Sequence, residues 1–72
     1  MAPPAIREFL EAQPFQPFSI RLPDGERVLI PTADHAFLSP AGRRLLVFSD
    51  DDRMRTFDPI LISELESAAT EV

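Results

Sequence analysis

The apolar positions of this chain change period near residue 14, and the change divides it into one helical piece and several extended ones. Before it, Ile6, Phe9 and Leu10 recur at helical spacing, while Arg7, Glu8 and Glu11 take the other face. Pro3 and Pro4 suit a first helical turn, where an N–H has no partner to lose. Pro14 pushes Gln13 out of the helical region. The pattern predicts a helix over 4–13. Its small apolar face must then lie on something else, and a sheet is the available partner.

Beyond Pro14 the alternation has period two. Pro14-Phe15-Gln16-Pro17-Phe18 reads as an extended corner, because its two prolines remove two ladder donors. Phe18, Ile20 and Leu22 point one way in a first strand over 18–22, and Val28 and Ile30 do so in a second over 26–30. Pro31 stops the second. A weaker third strand covers 35–39, a fourth 44–49, and a fifth runs from Met54 to Phe57 or Asp58. The turns between them are Pro23-Asp24-Gly25, Pro40-Ala41-Gly42 and Asp50-Asp51-Asp52. Two of these open a repeated cassette: Gly25-Glu26-Arg27-Val28-Leu29-Ile30 is echoed by Gly42-Arg43-Arg44-Leu45-Leu46-Val47. Such glycine-turn-plus-strand units predict an antiparallel meander.

The segment 59–66 supports two readings. Asp58 as a helix cap with Pro59 in the first turn, followed by Leu61, Ile62, Leu65, Ala68 and Ala69, reads as a helix. Alternation in Ile60-Leu61-Ile62-Ser63 reads as a closing strand. Residues 67–72 read as a frayed tail. The whole is one domain over 1–72 of α+β class, mainly β: a helix and a strongly bent antiparallel sheet of about five strands.

Strand parity exposes a second apolar face. With Val28, Ile30, Leu45 and Val47 inward, Leu29, Leu46, Phe48 and Phe37 face outward. The helix can cover only part of that face, so these four are the candidate interface residues. At 72 residues the chain buries only about 60% of its unfolded surface, and self-association is a natural source of further stability.

Composition narrows the function classes. There is no cysteine, which excludes disulfides and thiolate metal sites. The net charge of −5 opposes non-specific binding to nucleic acid or anionic lipid. All seven basic residues are arginine, spread along the chain rather than clustered. No signal-peptide pattern and no stretch of the ~20 apolar residues needed to span a bilayer is evident, so a cytoplasmic location without membrane contact is expected.

Candidate chemistry is sparse. His35, the single histidine, stands beside Asp34 as a general base or metal ligand would, but strand neighbours point to opposite faces. Asp50-Asp51-Asp52 lacks the spacing of a calcium loop and reads as a solvated turn. The phenylalanines lack the basic surround of a base-stacking platform and read as core or interface. Arg27, Arg43 and Arg44 would form an anion site only if their strands paired; rim ion pairs are the plainer reading. No catalytic residue, cofactor site or metal site is assigned.

The chain resembles a group of short bacterial proteins to which no activity is attached. The resemblance covers roughly 6–66 and rests on Pro14-Phe15-Gln16-Pro17-Phe18, Asp24-Gly25, Asp34-His35, Leu38-Ser39-Pro40-x-Gly42-Arg43 and Ile62-Ser63-x-Leu65-Glu66. It implies an Sm-like or SH3-like barrel that assembles into dimers or rings, with 59–66 as its last strand. The chain departs from RNA-binding Sm-like proteins: it has no lysine-rich rim and no Tyr-Lys-His-Ala-type segment. The expected function is a non-catalytic module that self-associates or binds a protein partner. The alternative is an Sm-like oligomer that binds RNA or another nucleic acid.

Overall fold

In the computed structural model, which describes residues 3–68, two of the three expected turns share one hydrogen-bond pattern and the other is one residue longer. The Gly25 N–H donates to Leu22 O at 2.8 Å, and the Leu22 N–H donates to Glu26 O at 2.9 Å. Asp52 and Ser49 repeat this with Ser49 O and Arg53 O; in the Gly42 turn the Gly42 N–H again donates three residues back, to Ser39 O, but the Ser39 N–H donates to Arg44 O, five residues on instead of four. Each turn carries one residue with positive φ: 93° at Gly25, 76° at Gly42 and 70° at Asp52. The sequence cassette therefore has a third structural copy, with an aspartate where the others carry glycine. Aspartate is among the few side chains that visit this region.

These turns and one break set the topology. Helix α1 (Pro3–Glu11) is followed by β1 (Phe18–Arg21), β2 (Arg27–Ile30), β3 (Ala36–Leu38), β4 (Leu45–Phe48), β5 (Met54–Phe57) and β6 (Glu64–Ser67). The chain is α+β and mainly β. Instead of one bent sheet of about five strands, the described residues form six strands in two antiparallel three-stranded sheets, ordered β2-β1-β6 and β3-β4-β5. The division falls where Pro31 and a short 3-10 turn, Ala33–His35, separate β2 from β3. Thr32 caps that turn by accepting the Asp34 N–H at 3.2 Å.

The helix closes at Glu11, two residues before the expected end, and the Gln13–Pro14 peptide is cis. Pro14 has no N–H for the Leu10 carbonyl, so no further helical bond can form there. In 59–66, both readings hold in part. Asp58 caps a single 3-10 turn, Pro59–Leu61, through the Ile60 N–H, and the chain then extends into β6. Ser63 and Ala68 carry the pairing past β6, donating to Arg21 O and Pro17 O. Ser67 thus belongs to the sheet, not to a frayed tail; residues 69–72 of that expectation lie outside the described residues.

The inner faces of both sheets close on one core: Phe18, Ile20 and Ile30 from one, Leu38, Leu45 and Val47 from the other, with Ile6 of α1 and Ile62. Among the described residues no polar side chain is buried in it. The helix plugs this core rather than covering an outer face. Phe9 meets Phe18 edge-on at 5.0 Å between ring centroids, and α1 packs beside β3 and the Pro59–Leu61 turn. Arg7, expected on the solvent side, donates to Ser39 O at 3.1 Å and ties the helix to the second turn.

Candidate functional site

The register of the second sheet assembles an apolar surface on its outer side. Phe37 pairs with Leu46, which pairs with Thr56 across the sheet, and Phe48 pairs with Met54. Leu45 and Val47 alternate with these into the core. Phe37 is 55% exposed and Met54 53%, while Leu46 and Phe48 are half-buried by their neighbours. Leu29, 53% exposed on the outer side of the first sheet, joins this surface through a groove of about 480 Å³. Val28 and Leu29 line one wall of it; Phe48, Met54 and Arg55 line the other. All four residues read from parity therefore lie on or beside one surface. Met54 was missed, although the turn from Ser49 to Arg53 makes its pairing with Phe48 a matter of counting.

Charge frames this surface. Arg55, which lines the groove, donates two hydrogen bonds to Glu26, at 2.7 and 3.1 Å, and its guanidinium lies 4.9 Å from the Phe57 ring centroid. The hydrogen bonds that Arg55 donates to Glu26 hold the Glu26 carboxyl below its ordinary range and raise the Arg55 guanidinium. On the first sheet, Glu66 accepts from Arg27 at 2.8 Å and Arg21 at 2.9 Å, which lowers its carboxyl as well. Arg21 Nε lies 3.6 Å from Glu64 Oε1, too far for a hydrogen bond, and is otherwise unpaired though buried.

Arg27 is thus committed to Glu66 on one sheet, and Arg43 and Arg44 lie on the other. The three do not form a common anion site. Arg43 and Arg44 are exposed just before β4 and make no ion pair among the described residues. They border a shallow depression with Thr56, Phe57 and Asp58.

His35 partners Asp50, not Asp34. Thr32 Oγ1 lies 2.8 Å from His35 Nδ1, and His35 Nε2 lies 2.8 Å from Asp50 Oδ1. Hydroxyl, imidazole and carboxylate in that order resemble a nucleophilic relay. Two features weaken it. Thr32 Oγ1 is already the cap acceptor for the Asp34 N–H, and the Asp50 side chain is 93% exposed, where water screens its pull on the imidazole. The contact ties the Ala33–His35 turn to the β4–β5 turn. In that turn Ser49 hydroxyl donates to Asp51, which lowers the Asp51 carboxyl, and Arg53 stands 3.3 Å away. No group of three or more His, Cys, Asp or Glu side chains is arranged to hold a metal among the described residues.

No protein-family model, curated protein or solved structure matches the chain. Among the described residues no helix is long and apolar enough to cross a membrane.

Proposed function

We propose that this chain is a non-catalytic module that self-associates through the outer side of β3-β4-β5, on a framework of SH3-like or Sm-like form. The observation that carries the reading is the continuous apolar surface of Phe37, Leu46, Phe48 and Met54, left uncovered because α1 is spent on the core. Contiguous exposed apolar surface on so small a chain marks an interaction site. The framework is supported by chain order. β2 and β3 are consecutive and broken only by the Pro31–His35 segment, so six strands trace as five in the sequence β6-β1-β2/β3-β4-β5, with a 3-10 turn between β5 and β6 along the chain. A cytoplasmic location and the absence of a catalytic role belong to the same proposal.

A second reading, binding of single-stranded nucleic acid, draws on exposed Phe37 and the unpaired Arg43 and Arg44 near it on the same sheet. The net charge of −5 opposes it. Light scattering from low to high micromolar, run beside a low-salt titration with a fluorescent single-stranded RNA, separates the two. A mass that rises with concentration and no RNA binding support self-association. A constant monomer mass with salt-sensitive RNA binding overturns it.

A further inference from the structure

The outer side of β4 carries opposite charge at its two ends. Arg44 has the parity of Leu46 and Phe48 and stays in the ladder, its carbonyl accepting the Ser39 N–H at 2.9 Å. Arg43 stands beside it, and both side chains are free of ion pairs among the described residues. At the other end, beyond the bond that Ser49 N–H donates to Arg53 O, Asp50-Asp51-Asp52 form an exposed acidic turn, Asp50 lying six residues on from Arg44. His35 Nε2 lies 2.8 Å from Asp50, Arg53 offsets Asp51 and Asp58 borders the arginines, yet three acids against one arginine and two arginines against one acid keep the ends opposite in sign. Between them lie only Leu46 and Phe48 on the strand, flanked by Phe37, Thr56 and Met54. Such a face is complementary to its own copy turned end for end.

We infer that the partner on this surface is a second copy of the chain, stacked sheet on sheet about a two-fold axis that lies in the interface and crosses β4 at right angles. The inference rests on the self-association reading and adds its geometry. That axis sets the two β4 strands antiparallel, about 10 Å apart as packed sheets are. Leu46 then meets Phe48 of the second copy, and Arg43 and Arg44 meet its Asp50-Asp51-Asp52 turn, twice over by symmetry. A parallel stacking would set arginine on arginine and acid on acid. The face is small: three strands at ~4.8 Å spacing, and six steps of ~3.3 Å from Arg44 to Asp50, give about 14 by 20 Å. That is well under the ~800 Å² per partner of a standard interface, so association is weak and charge has a large share in it.

The test is a charge swap read by sedimentation velocity. Arg44→Glu makes both ends acidic, and Asp50→Arg makes the acidic end more basic; each alone should weaken self-association by about tenfold or more. An equimolar mixture should recover association as a heterodimer, since each end then faces its opposite. Should Asp50→Arg fold poorly for want of its His35 contact, Asp51→Arg carries the same reversal, and melting of dilute samples identifies the folded variant. A wild type that associates while the single variants match it, or whose variants weaken without recovery on mixing, overturns this geometry and leaves self-association standing. A wild type that stays monomeric throughout removes both.

Discussion

Replacing Gly25 by alanine isolates the energy of one backbone conformation. Gly25 closes the β1–β2 turn at φ +93°, and a Cβ built there meets no atom within 4 Å. Any loss is therefore conformational and not steric against a neighbour. An L-residue forced into the left-handed region costs about 1–2 kcal/mol. Alanine returns roughly 0.4–1 kcal/mol by restricting the unfolded chain. The net expectation is a destabilisation of about 0–1.6 kcal/mol, centred on ~0.8. The third turn supplies the reciprocal experiment, because Asp52 already holds φ +70° with a side chain. Asp52→Gly and Asp52→Ala both remove the carboxylate, so their difference reports the backbone alone, and Ala should be less stable by about 1 kcal/mol. Urea melts at fixed concentration, with unchanged slope, measure both pairs. Gly25→Ala more stable than wild type, or Asp52→Ala as stable as Asp52→Gly, would refute the shared turn geometry.

Two further outcomes follow. The Glu26, Asp51 and Glu66 carboxyls are held below their ordinary range by hydrogen bonds from Arg55, Ser49 and Arg27 respectively. Depressed carboxylate values contribute stability that is present above the unfolded-state range and lost as pH falls through the folded values. Thermal melts should therefore drop as pH goes below about 4, and a melting point flat across that window would contradict the pairings. Phe18→Ala empties a fully buried site in edge contact with Phe9 and beside Phe15. It should cost about 3–5 kcal/mol, a large share of the total for a chain this short, and the variant should be mostly unfolded by circular dichroism.

Local chemistry was legible in the sequence wherever a single residue decided it. Gly25 and Gly42 announce their turns, and the alternation of Phe18 with Ile20 and of Leu45 with Val47 gives the inward faces directly. What was not legible depends on which strands pair. Pro31 visibly ends β2, but that β3 then joins β4 in a separate sheet is a matter of tertiary register. Asp58-Pro59 is a true cap, but it caps a 3-10 turn of three residues, because Ile62 is taken into the core and pulls the chain on to β6. The surface residues Leu29, Phe37, Leu46 and Phe48 follow from parity alone. The His35–Asp50 contact spans fifteen positions and needed the fold. The arginines show the same limit: Arg27 and Arg44 hold matching places in the cassette yet sit on different sheets.

Self-association through the outer side of β3-β4-β5 is tested most directly by sedimentation velocity of the wild type beside Phe48→Asp. Phe48 is half-buried in the middle of that surface, and an aspartate there sets an unpaired charge against the second copy. The wild type should shift from 8.1 kDa at low micromolar concentration toward twice that mass at high micromolar, while Phe48→Asp stays folded and at the chain mass. A wild type at 8.1 kDa across the whole range, or a Phe48→Asp variant that associates as strongly as the wild type, would contradict the account.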